Sequence, residues 1–354
     1  MTTEDLTLAV GGKKLSGWTR IRVTRSIERF PSDFDIELTE LFPDQAQSVV
    51  VTPGDSCEVY AGSDLVVTGY VDAFAPSFDP ENHSIRVTGR GKCQDMLDCA
   101  AEWPNGQISG ATARDIAVKL AQPYGITVVG GADPGPVIPQ FNLIIGETAY
   151  EVVERVARYR ALLVYEDENG NMVLDRAASD MMASGFSEGV NVISAAVAYS
   201  MDQRYSDYWA FLNSVDTYGD SGEGGNIIKK VTDAAVKRHR LLTLIAEAGD
   251  SGGDVAQRRA IWEMNRRAGR SMRASIKADS WRDAEGELWT PNKLAAINLP
   301  SLKTANVNWL ISDVTYTLDE EGTSADLILM PPQAFDIEPV LLNPTFQESN
   351  PGGT

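Results

Sequence analysis

The residue types best able to do chemistry in this chain fall in a few short stretches. Gly249-Asp-Ser-Gly-Gly253 matches the surroundings of the nucleophile in trypsin-like serine proteases, where a Ser oxygen attacks a carbonyl and backbone N–H groups hold the oxyanion. That chemistry also needs a His base held by a buried Asp, and the chain offers only His83 and His239. His239 lies in the cationic run Lys237-Arg-His-Arg240, which disfavours a protonated imidazole. Asp254 is the natural N-cap of a helix that follows, so the Gly-Ser-Asp stretch reads as a helix start. Glu166-Asp-Glu-Asn-Gly-Asn171 gathers carboxylates around a glycine, as calcium loops do. With Gly170 as the loop glycine, Tyr165 and Arg176 take the first and last ligand positions, and an Arg cannot replace the bidentate carboxylate. Gly89-Arg-Gly-Lys-Cys-Gln94 lacks the third glycine of a dinucleotide loop and the Lys-Ser/Thr of a phosphate loop. Asp319-Glu-Glu-Gly322 reads as a solvated turn, and two histidines without paired spacing make no zinc set. The expectation is no catalytic residue, no metal and no cofactor.

The elements that would carry these residues are mostly strands. Ile21 and Val23 alternate with Arg20 and Arg22, and Phe34, Ile36 and Leu38 alternate with Asp33, Asp35 and Glu37, as in half-buried antiparallel strands. After Cys99 the period changes: Ala113, Ile116, Ala117, Leu120 and Ala121 share a helical face that ends near Pro123-Tyr-Gly125. Thr148-x-x-Glu151 is a capping box opening a second helix, with Ala149, Val152, Val153, Val156 and Ala157 on its apolar side. A hairpin follows, 161–165 returning as 172–175, with Asn169-Gly170 supplying positive φ angles. A basic helix is predicted over 254–270, with Ile261, Met264 and Ala268 inward, and Met272, Ala274, Ile276 and Ala278 share the face of a later strand.

The chain has 354 residues, 43% of them hydrophobic, which predicts two or three domains with sizeable cores. The expected division is a first β-barrel domain over 1–99, an α+β insert over 100–178, a second β-barrel domain over 179–338 with the basic helix inserted, and an extended tail over 339–354. Thr217 to Asn226 is too rich in glycine and polar residues to pack, and predicts a mobile loop. No secretory signal or membrane-spanning stretch is evident. Cys57, Cys93 and Cys99 form no C-x-x-C pair, which suits a reducing compartment.

A net charge of −19 argues against a dedicated nucleic-acid binder. From Lys229 to Arg273, however, eleven basic residues face five acidic ones, so this segment carries +6 and the rest of the chain −25. Such contrast suits contact between a basic segment and an acidic neighbour, another copy of the chain included. Arg258, Arg259, Arg266, Arg267 and Arg270 are the candidate interface residues, because arginine favours interfacial ion pairs.

A three-strand pattern recurs near the two ends. Pro53–Tyr60, Leu65–Phe74 and His83–Gly89 are echoed by Pro291–Asn298, Trp309–Leu318 and Thr323–Met330. Each copy runs from a proline turn through a short strand to a β-branched strand, a polar turn and a third alternating strand.

In order, Gly17-Trp18, Arg25-Ser-Ile-Glu28, Thr68-Gly-Tyr-Val-Asp72, Gly89-Arg90 and Asp95-Met-Leu-Asp98 resemble the opening of the phage Mu-like baseplate hub (tail P) proteins. The resemblance continues through Gly146–Glu151, Gln203-Arg-Tyr205, Trp262-Glu263, Trp281, Leu288–Asn292 and Gly322-Thr323. It implies a homotrimeric ring whose paired β-barrels give pseudo-sixfold symmetry, with partners in the hexameric tail tube, the trimeric central spike and other baseplate proteins. It further implies a virion component assembled in the host cytoplasm, passing DNA without binding it, and related in architecture to the N-terminal half of type VI secretion spike proteins. Two competing readings are a tail-associated peptidase or cell-wall hydrolase using Ser251 or the acidic turns, and a glycan-binding module using Trp281 and Trp289.

Overall fold

The computed structural model describes residues 5–39, 51–80, 83–103, 105–135, 137–159, 162–213, 226–246 and 253–335. A first β module contains β1 (Leu6–Val10), β2 (Lys13–Leu15), β3 (Arg20–Ser26), β4 (Asp33–Thr39), β5 (Ser56–Ala61), β6 (Asp64–Phe78) and β7 (His83–Gly91). An α+β segment follows: α1 (Gln94–Asp98), β8 (Gln107–Ala111), α2 (Ala113–Ala121), β9 (Val128–Val129), β10 (Ile138–Asn142), α3 (Ala149–Tyr159), β11 (Leu163–Glu166) and β12 (Met172–Asp175). The second β module begins with β13 (Phe186–Ser187) and β14 (Val192–Tyr199). It is interrupted by β15 (Asp207–Asn213), β16 (Asn226–Thr232), β17 (Leu241–Ala246) and α4 (Gly253–Arg270). It ends with β18 (Met272–Ala278), β19 (Leu294–Leu299), β20 (Thr304–Asp319), β21 (Gly322–Met330) and a 3₁₀ turn at Pro332–Phe335.

The fold is mainly β, as the alternating patterns predict, and the two modules are built alike. In the first, β3 pairs with β4, β4 with β7, β7 with β6 and β6 with β5. In the second, β14 pairs with β18, β18 with β21, β21 with β20 and β20 with β19, in the same antiparallel sense. Even the irregularities coincide: β6 bulges between Val71 and Ala73 against β7, and β20 between Ile311 and Asp313 against β21. A bulge fixes register, so its recurrence makes Val71 the counterpart of Ile311 and Ala73 that of Asp313. The repeat read from sequence sets the middle strands four residues away from this equivalence, because strand alternation looks the same after any even shift.

The modules are not two closed barrels. Inward rows of both, Ile21, Val23, Phe34, Ile36 and Val87 with Ala274, Ile276, Leu327 and Leu329, share one core. Instead of closing on β6 of its own module, β3 pairs with β20 of the other, from Ile21 opposite Leu318 to Ser26 opposite Asp313. The Thr24 and Thr315 hydroxyls lie 3.2 Å apart across this joint. The result is one 13-stranded sheet running from β14 to β2.

The α+β segment has its own core, where Ile116, Ala117 and Leu120 of α2 meet Val152, Val153 and Val156 of α3. The predicted capping box is present: Thr148 N donates to Glu151 Oε2 at 2.8 Å, and Glu151 N to Thr148 Oγ1 at 3.2 Å. In the β11–β12 hairpin only Gly170, at φ 72°, takes a positive φ, and Asn169 does not. The turn runs from Asp167 to Asn171, with Asp167 Oδ1 accepting from the N–H groups of Asn169 and Asn171. This wider turn needs one left-handed residue where the two-residue hairpin would need two.

Candidate functional site

Helix α4 carries all five candidate arginines. Its buried side is made of Ala256 and Ala260, one turn apart, packed on Tyr208 and Ala210 of β15. Small residues at that spacing let the helix lie close to the strand. The inward face is therefore rotated from the expected one: Ile261 is exposed and Met264 only half-buried. Because the helix already includes Gly253, Asp254 falls inside the first turn and not before it. Near the other end, a Cβ on Gly269 would overlap the backbone of Ala334, so that position holds the C-terminal turn against the helix.

Glu263 is buried on α4, flanked one turn before and after by arginines. Arg259 Nη1 lies 2.9 Å from Glu263 Oε2, and Arg267 Nε donates to Oε1. Burial alone would raise the carboxyl pKa, but the bonds from Arg259 and Arg267 outweigh it and hold the group below the usual range. Arg267 also donates to the Gln203 carbonyl at 3.0 Å. Arg270 reaches Glu28 of the first module at 2.6 Å and the Ala334 carbonyl at 3.1 Å. Arg266 is half-buried and stacks over Trp262 at 5.4 Å, its pKa lowered by burial and then by the charge of Arg270. Arg258 is exposed. The five thus divide: Arg267 and Arg270 clamp α4 to its surroundings, Arg259 pairs with Glu263 along the helix, Arg266 stacks over Trp262, and Arg258 lies at an exposed position.

Beside α4 a cleft of about 430 Å³ opens where three parts of the chain meet. Glu28 comes from the first module, Tyr150 and Glu154 from α3, Arg266 and Arg270 from α4, and Phe335 from the C-terminal turn. Its walls mix apolar and charged groups of both signs, the character of a contact surface more than of a substrate pocket.

The other sequence candidates are scattered. Ser251, residues 217–225 of the Gly-rich stretch and the tail over 339–354 lie outside the described residues. His239, 78% exposed, places Nδ1 3.3 Å from Asp207 Oδ2, on the small β15–β17 sheet, while His83 lies on β7 opposite Phe78. Asp319 accepts from the Glu321 N–H at 2.9 Å as a turn cap. Trp281 and Trp289 are 0% and 1% exposed, packed against Tyr316 and Phe186, so neither can stack on a sugar.

Glu166, first noticed as a turn acid, turns inward. Its carboxylate accepts from Ser32 N at 3.0 Å and Cys93 N at 2.8 Å, joining β11 to the first module. Burial pushes its pKa up to about 7 against the opposing pull of those two donors. Gly91 of the Gly89–Gln94 stretch lies against it, where any Cβ would overlap the carboxylate. That stretch is a structural seam: Arg90 pairs with Asp72 and Asp98, and Lys92 donates to the Gly125 carbonyl.

Three family models match in chain order. Residues 5–91 match the N-terminal region of the Mu phage baseplate assembly protein GpP-like family. Residues 93–176 match the second domain of the baseplate hub protein gp44-like family, and 252–338 the fourth domain of the Mu phage baseplate assembly protein GpP. The baseplate hub protein gp44 of Escherichia phage Mu is 31% identical over 344 residues, spanning 94% of this chain and 89% of the phage protein. The chain belongs to the Mu-type baseplate hub family. As a hub protein of a phage tail baseplate, it is a virion component. The fold agrees: the 43 kDa tail protein of prophage MuSo2 from Shewanella oneidensis aligns with TM-score 0.83 and 32% identity, over 94% of this chain and all of that one. A type VI secretion component of E. coli, c3393, shares the fold at TM-score 0.58 and 11% identity, covering 92% of this chain and 76% of its own. The order of matched fragments legible in sequence is thus the order of matched family regions, and the Mu-type hub assignment stands on nearly the full chain.

Proposed function

We propose that this hub protein works by symmetry adaptation with no chemical step, as a homotrimeric ring joining a hexameric tail tube to a trimeric central spike. The observation that carries this reading is the duplicated five-strand module with its shared bulge. Two like modules per subunit present six like surfaces in a threefold ring, which is what a sixfold tube requires of a threefold spike. DNA passes through without being bound, and a chain of net charge −19 repels it from the wall. Assembly takes place in the host cytoplasm, with the chain working as three regions divided near residues 99 and 178. Light scattering on the purified 38.4 kDa chain should give three times that mass; a monomer at every concentration and salt would overturn self-assembly.

The arginine face of α4 serves as a contact to other baseplate proteins or to a second copy. Arg258→Glu should impair particle assembly and change stability by no more than about 1 kcal/mol, since Arg258 is exposed. Arg266→Glu combined with Arg267→Glu should block assembly too, but with a loss of about 3–5 kcal/mol of stability, because Glu263 loses a buried partner. Normal particles from both variants would remove α4 from the interface.

A further inference from the structure

The internal repeat identifies two edges that have lost their partners. Following the pairing registers, Ile36 corresponds to Ile276, Val87 to Leu327 and Val71 to Ile311. The same registers make β14 the counterpart of β3, Ala195 matching Ile21 and Val197 matching Val23. They also make Ala73–Phe78 of β6 the counterpart of Asp313–Leu318 of β20. Within the chain, β20 and β3 pair with each other through those residues. Among the described residues nothing pairs with the corresponding side of β6, and β14 ends the sheet.

Burial follows the same division. Ile21, Val23, Thr24 and Arg25 of β3 are buried, as are Val314 and Tyr316 of β20. Their counterparts are less covered: Tyr199, matching the buried Arg25, is 52% exposed, Pro76, matching the buried Tyr316, is exposed, and Ala195, Val197 and Phe74 are only half-buried, while Phe78 at the end of β6 is 87% exposed. Neither Ala73-Phe-Ala-Pro-Ser-Phe78 nor Ala195-Ala-Val-Ala-Tyr-Ser200 carries a charge. Monomeric proteins normally protect a free strand with lysine, and the opposite end of this sheet does so with Lys13 and Lys14 on β2. The β14 edge has neither a charge nor a proline, and the β6 edge has Pro76 alone, so both apolar edges suit cover by another strand.

We propose that β14 of one copy pairs with the C-terminal half of β6 in the next copy, antiparallel, repeating between subunits the β3–β20 joint made within each. Transferring the internal register sets Phe74 against Tyr199, Ala75 against Ala198, Pro76 against Val197 and Phe78 against Ala195. The core-facing row is then apolar on both sides, Phe74, Pro76 and Phe78 meeting Tyr199, Val197 and Ala195. Pro76 offers no N–H, so at that position the joint has one donor fewer than its internal model. Each copy uses two different edges, so the pairing is head-to-tail, and in the ring proposed above the rotation per copy is a third of a turn, which closes it after three copies. The inference rests on the ring reading above and supplies its seam.

Disulfide trapping tests it. Ala75 and Ala198 correspond to Thr315 and Thr24, whose hydroxyls approach to 3.2 Å across the internal joint, so cysteines at 75 and 198 fall within bridging distance. In a Cys99→Ser background, which removes the exposed native thiol, Ala75→Cys with Ala198→Cys should oxidise to a closed three-copy species on a non-reducing gel. Either single variant should stay one chain wide. Ser77→Cys with Ala198→Cys, two residues out of register, should crosslink about tenfold less. A three-copy mass by light scattering with no crosslink at 75 and 198 overturns the seam and leaves the ring standing. A monomer at every concentration with no crosslink overturns both.

Discussion

Glu166→Ala should destabilise the chain by about 2–6 kcal/mol, since it strands the buried N–H groups of Ser32 and Cys93 at a cost of about 1–3 kcal/mol each. The wild-type group also makes stability depend on pH. Its folded pKa of about 7 lies above the ordinary 4.5, so the folded chain binds more protons than the unfolded one between those values. Stability therefore falls as pH rises from about 4.5 through about 7, by about 3 kcal/mol in all. Glu166→Gln should remove that slope, while its amide sets a donor against one backbone N–H and lowers stability at every pH. Chemical denaturation of both proteins from pH 5 to 8 measures this directly. A slope unchanged by Glu166→Gln would mean that another group titrates. Gly91→Ala, which drives a methyl into the same carboxylate, should cost a similar amount and should not add to Glu166→Ala in a double-mutant cycle.

Trp289→Ala should cost about 3–5 kcal/mol by cavity formation alone. The indole is fully buried, its ring centroid 4.3 Å from that of Phe186, and its Nε1 donates to the Ser280 carbonyl at 3.1 Å. The Trp289 carbonyl in turn accepts from the buried Tyr316 hydroxyl. A shift of the main chain at 289 therefore reaches the core of the second module through Tyr316, which meets Trp281 edge-on. Urea denaturation should show the midpoint falling for Trp289→Ala and for Trp281→Ala alike. Retained stability together with lost sugar binding would reverse the assignment of these side chains to the core.

The local elements were legible because their signals are local. The Thr148–Glu151 box, the α2 face and the alternation of β3, β4 and β18 each depend on residues a turn or a pleat apart. What the sequence hid depends on distant partners. Nothing in Arg20–Ser26 says that it pairs with a strand nearly 300 positions on, and period-two alternation cannot fix the register of Leu65–Phe74 against its repeat. Glu166 looks like any acid in a polar turn until the N–H groups of Ser32 and Cys93 are placed above it. On α4, the arginines are obvious as a basic run and the i,i+4 spacing of Arg259 and Arg267 about Glu263 is local, but the contacts of Arg267 and Arg270 with Gln203, Glu28 and Ala334 lie outside the helix.

The pairing of β3 with β20 also sets a timetable. During synthesis β3 leaves the ribosome among the first strands, and its natural partner is among the last to be made. Until Asp313 to Leu318 has emerged, the nascent first module presents an uncovered strand to every other nascent copy nearby. A copy truncated before β20 would keep that strand bare permanently, so shortened chains should aggregate or poison the assembly of complete ones, even though their first module is intact.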